Sequence, residues 1–337
     1  MITGRCILLK KPTIKDVASL SGVGTGTVSR VLNGGSVKET TRIKVMKAID
    51  KLGYKPNQMA RTLAGGKTKR ILFLMPEIRT EFHWRVMKSF DEYLDKMNYE
   101  MVIYPVFSDK RLKKLRSDPS LIQNIDGAVI CTMNIEFLSR KYIDFGTNVV
   151  LFESQSDEFD CVYLDNVLGG RMAAELLTEC GSSDLFVISF DEENTILATG
   201  NFEKRILGFT SYLKEKGYEF NEEKFVYTSF FFETAHERIA SILSQYDRPG
   251  IFALADNFAL EVLQMASAMK KIPGKDFFLV GYDNQSWTER AGLTTIEQPM
   301  EDMGRKTAEL IIQKIENPGQ YVQPVKFLPS LKRRKTA

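Results

Sequence analysis

The sequence predicts an α/β protein made of a small helical head and a larger body of alternating strands and helices. Three observations carry that reading. Residues 13–52 hold three short stretches of helical apolar spacing, separated by glycines. From Ile71 onward, short apolar runs alternate with amphipathic stretches, the pattern of parallel α/β sheets. Charge is also segregated: residues 1–70 hold fifteen Lys and Arg against three acidic residues, a net +12, which leaves 31 basic and 40 acidic residues, a net −9, in the rest. A basic head on an acidic body implies a polyanionic partner for the head alone. At 337 residues, 43% of them apolar and 26% charged, the chain has an ordinary globular composition and room for two or three domains.

Residues 1–12 read as a flexible leader, with no signal-peptide core or cleavage site. The head, residues 13–55, opens with TIKDVASLSGVGTGTVSRVL. Thr13 stands at an N-cap position with Asp16 three residues on, the spacing of a capping box. Ile14, Val17 and Ala18 give one apolar face. Gly22 is placed to close the helix, because glycine accepts positive φ without steric cost. A second helix begins near Gly24 and turns Val28, Val31 and Leu32 inward, leaving Thr25, Gly26, Ser29 and Arg30 outside. Two short helices around a glycine turn, with polar and basic residues on the second, form a helix-turn-helix. A phosphate-binding glycine loop is rejected, since that loop needs a preceding strand. A third helix over residues 41–52 places Val45, Ala48, Ile49 and Leu52 on one face and stops at Gly53. Lys38, Arg42, Lys44, Lys47, Lys51 and Lys55 stay outside as candidate phosphate contacts.

Residues 56–69 form a hinge and linker. Its helical stretch, residues 57–63, is too short to be stable alone and orders only against a partner. The following GGKT lacks the glycine of a nucleotide-binding loop, because Arg61 stands there. The body then shows strand-like runs at 71–75, 100–106, 127–131, 148–153, 184–189, 225–230, 250–255 and 277–283. Helical stretches lie at 85–96, 168–180, 203–216, 234–245 and 258–270. Eight strands suit one large barrel or two smaller doubly wound lobes, and periodicity does not choose between them.

No run of eighteen apolar residues appears, so no membrane-spanning helix is expected. Cys6, Cys131, Cys161 and Cys180 lack metal-ligand spacing and fit reduced thiols in a cytoplasmic protein. No nucleophile and base constellation appears. His83 and His236 fall in helical contexts that suit capping or solvent exposure, so neither an enzyme nor a cofactor is expected.

The whole chain resembles the lactose-repressor/galactose-repressor family of bacterial transcription regulators. The head carries TIKDVASLSGV, TVSRVLNG and LGY, and the linker PN, AR and a leucine, over residues 13–63. The body carries IDGAVI at 125–130, DNVLGGRMAAELL at 165–177, Arg205 with GF at 208–209, VGYDN at 280–284 and LTTIEQP at 293–299. The resemblance implies a body like a periplasmic sugar-binding protein, with two Rossmann-like lobes and a ligand cleft between them. The chain should cross between lobes near Leu164, Ile296 and Pro324. One lobe would then be 70–164 with 297–324, and the other 165–296 with 325–337. It further implies a homodimer, without fixing whether dimers pair into tetramers. The dimer would bind a pseudo-palindromic operator and act as a repressor under the control of a small effector, a sugar or sugar derivative.

Site residues follow from the same resemblance. Thr25, Gly26 and Arg30 match base-reading positions, and Arg30 has the fork to bond a guanine edge or a phosphate. Thr13, Thr27, Ser29, Asn33 and Tyr54 complete the head's DNA face. Leu63 matches a leucine wedged into the minor groove, with Asn57, Ala60 and Arg61 beside it in the hinge. Gly24 and Gly26 depart from the family, which usually has side chains there. In the cleft, Arg205 matches the effector-binding arginine, with Glu153 and Asp283 at strand ends and Gln298 at the second crossing. Phe82, Phe231 or Trp287 would stack on an apolar ligand face. Asp256 joins this set beside Ala255, where the family often has asparagine. That departure, and the loss of Gly-His-basic near residues 182–184, leaves a nucleobase or sugar acid open besides a sugar.

Overall fold

All eight expected apolar runs contain strands in the computed structural model. It describes residues 12–32, 35–54, 67–76, 80–118, 124–133, 148–190, 199–228, 235–319 and 323–337. The chain divides into two units, Met1–Thr68 and Lys69–Ala337.

In the first unit, α1 (Ile14–Ser21), α2 (Thr25–Leu32) and α3 (Glu39–Leu52) close over Val17, Ala18, Val28, Val31, Val45 and Ala48, all buried. Asp16 accepts hydrogen bonds from the Thr13 backbone N–H and hydroxyl, both at 2.7 Å, which fixes the start of α1. Gly22 and Gly53 end α1 and α3 at φ 69° and 57°, a conformation costly for any residue with a Cβ. The third helix starts at Glu39, two residues before the expected Thr41, because the Lys38 carbonyl already accepts from Thr41 and Arg42.

The second unit holds two six-stranded sheets. The first contains β1 (Arg70–Met75), β2 (Glu100–Pro105), β3 (Gly127–Cys131), β4 (Val149–Phe152), β5 (Asp160–Leu164) and β11 (Pro324–Phe327). Their order is β11-β5-β4-β3-β1-β2, all parallel. The second contains β6 (Leu185–Phe190), β7 (Phe225–Thr228), β8 (Gly250–Ala253), β9 (Phe278–Asp283), β10 (Thr294–Glu297) and β12 (Ser330–Lys332). Its order is β12-β10-β9-β8-β6-β7, with β12 antiparallel to β10. The two-lobed alternative therefore holds and the single barrel does not. Helices α4 (Glu81–Lys96) and α5 (Asp109–Ser117) lie in the first lobe, and α6 (Asn166–Glu179), α7 (Asn201–Glu215), α8 (His236–Gln245), α9 (Asp256–Ala268) and α10 (Thr288–Ala291) in the second. The long α11 (Met300–Glu316) packs on α4 in the first lobe.

Several elements have no clear mark in the sequence. Strands β5, β10, β11 and β12 are short, and β10 is rich in threonine. Helix α11 carries Gly304 in mid-course, which weakens its pattern. The glycine has a packing cause: a Cβ there would lie 2.5 Å from the Val86 carbonyl oxygen on α4. The chain passes between lobes after Leu164, after Glu297 and again between Phe327 and Ser330. The last passage comes later than the expected Pro324, because residues 324–327 first pair with β5.

Candidate functional site

Both lobes aim the C-terminal ends of their strands at one cleft. Counted within each lobe, the first five strands run in the order 2-1-3-4-5, with β11 or β12 beyond the fifth, and so each sheet has a switch point, between β1 and β3 and between β6 and β8, where open α/β sheets bind ligands. A cavity of about 140 Å³ opens there, lined from the first lobe by Pro76, Thr80, Phe82, His83, Thr132 and Glu153. The second lobe contributes Phe190, Thr199, Asn201, Phe202, Arg205, Ala255, Asn257, Phe258 and Asp283, and Gln298 stands at the crossing.

The position of Arg205 is set by two glycines. Helices α6 and α7 cross so closely that a Cβ on Gly170 would lie 1.9 Å from the Arg205 carbonyl oxygen, and one on Gly208 1.9 Å from that of Val167. The buried guanidinium donates from Nε to Asn166 Oδ1 at 2.8 Å and from Nη1 to the Leu254 carbonyl oxygen at 2.5 Å. It lies 3.7 Å from the centroid of the Tyr282 ring. Nη2 has no hydrogen-bond partner among the described residues, and the side chain lines the cavity.

The two cleft carboxylates share a backbone peculiarity. Glu153 sits at φ 56° just after β4 and Asp283 at φ 118° as the last residue of β9. Such non-glycine conformations cost about 1–3 kcal/mol each and persist where the surroundings over-determine them. Glu153 accepts from the Leu164 backbone N–H at 2.8 Å and from Asn201 Nδ2 at 3.2 Å, so it ties the lobes together. Burial pushes its carboxyl up to about 7, against the pull of Arg205. Asp283 is raised by burial too, and accepts from Gln298 Nε2 at 2.6 Å. His83 lies between the Thr80 and Thr132 hydroxyls, at 3.0 and 3.3 Å, and burial lowers its pKa to about 4. It is a neutral hydrogen-bonding group at pH 7.

The remaining walls are aromatic. Phe202 meets Phe190 and Phe258 edge-on, with centroids 5.7 and 6.1 Å apart, and Phe82 stands on the opposite lobe. Asp256 is not on the wall. Its two oxygens accept from the Thr295 hydroxyl and the Gln285 backbone N–H, at 2.7 and 2.8 Å, so it is a buried support between β10 and the loop after β9. Trp287 also stands apart from the described lining and donates its indole N–H to Gln285 Oε1 at 3.1 Å. Phe231 lies outside the described residues. Five further lining residues do carry a signal in the sequence: Asn201 and Phe202 lie one turn before Arg205, Asn257 and Phe258 follow Ala255, and His83 follows Phe82. All sit in the first turn after a strand end or connection, where α/β sheets gather ligand groups.

On the head, Thr25, Gly26 and Arg30 are exposed along α2, and Thr27 and Ser29 are half-buried. A Cβ built on Gly26 meets nothing within 4 Å. The Gly24 carbonyl accepts from Thr27 and Val28 and serves as the helix cap. Thr13 is exposed with its hydroxyl on Asp16, and Tyr54 packs against the small core. Asn33, Asn57, Ala60, Arg61 and Leu63 lie outside the described residues, as do residues 1–11 of the leader and 56–66 of the hinge and linker.

Comparison with known proteins finds a match in two parts of the chain. Residues 13–57 match the model of bacterial regulatory proteins of the lacI family, and residues 174–337 that of the periplasmic binding protein-like domain. An HTH-type transcriptional repressor PurR of Vibrio vulnificus is 30% identical over 322 residues, which is 90% of this chain and 92% of that protein. This chain belongs to the lacI family. A transcriptional regulator CelR–cellobiose complex superposes with TM-score 0.71 at 25% identity, over 97% of this chain and 100% of the other. The lac repressor dimer bound to operator and an anti-inducer gives TM-score 0.81 at 21% identity, over 97% and 99%, and shares the fold. As a member of the lacI family the chain is a DNA-binding transcription regulator, and its similar proteins are regulators rather than enzymes. Among the described residues no helix is long and apolar enough to cross a membrane, and no cluster of acidic, His or Cys side chains is set to hold a metal.

Proposed function

We propose that this lacI-family protein is a repressor that binds a pseudo-palindromic operator as a homodimer, and that a small uncharged polyhydroxy compound in the cleft sets its affinity. The observation that carries the ligand class is the balance of the buried cleft. Two carboxyls, Glu153 and Asp283, face one guanidinium, and two of that guanidinium's nitrogens already serve Asn166 and Leu254. An anionic ligand such as a sugar phosphate or sugar acid would bring a further negative charge to a site with no spare cation among its described lining residues. Hydroxyls suit it well: Asp283 accepts, Arg205 Nη2 donates, and phenylalanine faces take a sugar's apolar side. A CelR regulator with cellobiose bound and the same fold supports a carbohydrate here. The lac repressor's dimer on its operator supports the assembly.

Effector closing the lobes shifts the population between operator-binding and released dimers. In the hinge, Leu63 is the wedge at the operator centre; Leu63→Ala then weakens operator binding more than binding to random DNA. A thermal-shift screen against neutral sugars, sugar phosphates, sugar acids and nucleobases tests the ligand class. A ligand at a hundred times its Kd adds roughly 2.7 kcal/mol of stability. A hit among neutral sugars that also changes operator retention in a gel shift bears the reading out. A hit confined to anionic compounds would overturn the ligand class, and a single-headed complex on the operator would overturn the dimer.

A further inference from the structure

Helix α4 belongs to the first lobe, but its first residue is bonded to the second. The Glu81 carboxylate accepts from the Ser286 backbone N–H at 2.9 and 3.0 Å and from the Ser286 hydroxyl at 2.7 Å. One turn on, Arg85 donates from Nη1 to the Asn284 carbonyl oxygen at 3.1 Å. The first lobe thus offers an acceptor and a donor to a single loop of the second. Neither side is pliable. Arg85 is held by Glu301 of α11 through bonds of 2.7 and 2.9 Å, and α4 packs along α11. In the loop, the Asn284 side chain donates to Glu297 and accepts from Arg334, both at 2.8 Å, and Asp256 takes the Gln285 N–H. Rigid surfaces of this kind meet or part as units rather than stretch. Glu81, Arg85, Asn284 and Ser286 border an opening of about 370 Å³ that is separate from the cleft cavity, and none of the four lines that cavity.

We propose that Glu81 and Ser286 form a latch that holds the two lobes closed without help from an effector. Hydrogen bonds to a carboxylate are of the strong, charge-assisted kind, and here they use no group on the cleft wall. A ligand in the cavity therefore need not compete for them. The link from Asn201 to Glu153 is different, because both residues line the cavity and a ligand meets them directly. Glu81 is a positioning residue: the loop it grips begins just after Asp283, the carboxylate on the cleft wall. Closure held in advance raises the fraction of the chain competent to bind, and so tightens the apparent affinity for an effector by the same factor. The latch goes beyond the proposed control by a polyhydroxy compound. It is tested with no effector added, so its failure and the failure of that reading are separate.

The full chain, with no small molecule added, is followed by residue-resolved hydrogen exchange and by small-angle X-ray scattering. The Ser286 amide should be protected in wild type and exchange about tenfold faster or more in Glu81→Ala, which removes its charged acceptor. The radius of gyration should rise with it as the lobes part. Ser286→Ala keeps the N–H but loses the hydroxyl, and should move both readouts less. Glu81→Gln retains an acceptor oxygen and should fall between wild type and Glu81→Ala. The buried β9 amides of Leu279 and Val280 should exchange at wild-type rates throughout, which a general loss of fold would not allow. If Glu81→Ala unfolds, those amides reveal it and Ser286→Ala decides. Equal Ser286 rates in wild type and variants would overturn the latch. Faster exchange at an unchanged radius of gyration would reduce the contact to a local bond, and would overturn it as well.

Discussion

The head and the cleft solve the problem of presenting polar groups in opposite ways. In the head, six buried side chains hold three helices together, and Thr25, Gly26 and Arg30 stand outside that core. In the cleft, Glu153, Arg205, Asp283 and Gln298 are each buried and each bonded to the fold as well as facing the cavity. An exposed residue of α2 can therefore be removed without loss to the head's core. One in the cleft takes part of the scaffold with it, because burying a charge is tolerated only while its partners remain.

Arg205→Ala breaks the cleft most severely. It leaves the Leu254 carbonyl without its Arg205 donor and Asn166 Oδ1 with the Tyr282 hydroxyl alone, and it removes the positive charge near Glu153 and Asp283. A hydrogen bond to a charged group contributes about 1.5–3 kcal/mol, and two are lost here. We expect the body to unfold at clearly lower denaturant, measured by urea titration, together with loss of the effector response. A variant as stable as wild type that only failed to bind ligand would show Arg205 to be a free binding group like those of the head. Glu153→Gln is milder and carries a pH signature. The folded carboxyl is raised to about 7 from an ordinary 4.5, so the folded state keeps a proton that the unfolded chain gives up. The stability owed to that proton is full below pH 4.5 and is lost as pH rises to 7. Wild type should thus lose ground to Glu153→Gln across that window, by at most about 3 kcal/mol. His83, lowered to about 4 from 6.5, acts in the opposite sense: its stability grows from pH 4 to 6.5. Melting curves at half-unit pH steps separate the two, and parallel curves for wild type and Glu153→Gln would count against the raised carboxyl.

The same contrast explains what the sequence discloses. Head helices are legible because each is built locally: Asp16 bonds Thr13 three residues away, and Gly22 and Gly53 stop the helices beside them. Strand runs such as residues 71–75 and 127–131 are legible because a parallel strand covered on both faces is apolar throughout. Cleft geometry is set at long range and is less so. Arg205 and Asp283 match family positions, but nothing near Asp256 in the chain reveals that Thr295 and Gln285 occupy its carboxylate. The glycines at 170 and 208 stand in family motifs, yet their reason appears only when α6 and α7 meet backbone to backbone. Trp287 has the size and position in sequence to stack on ligand; its indole is held instead by Gln285 two residues earlier, a bond that spacing does not announce.

Two substitutions in the head sharpen the other side of the comparison. Arg30→Ala removes an exposed side chain, so the melting temperature should hardly move. If Arg30 reads a guanine, the loss of about 1–3 kcal/mol falls on one base position of the selected site. A loss spread evenly over all sequences, with a shallower salt slope, would make it a phosphate contact instead. Quantitative binding to single-base variants of the selected duplex distinguishes these.

Gly26→Ala is the smallest change and the most discriminating. A Cβ there meets nothing within 4 Å among the described residues, so the methyl adds helix propensity worth up to about 1 kcal/mol and no clash with them. The head should therefore become slightly more stable, seen as a higher melting temperature of the isolated transition or as slower amide exchange in α2. The methyl has no neighbour among the described residues of the head, so an accompanying change in DNA affinity or base preference points to DNA lying against this helix face. A stabilised head with wild-type affinity and preference would remove Gly26 from the reading surface and move that surface toward Thr25 and Arg30. A narrower base preference would mean that the missing side chain at Gly26 is what widens this regulator's choice of sites.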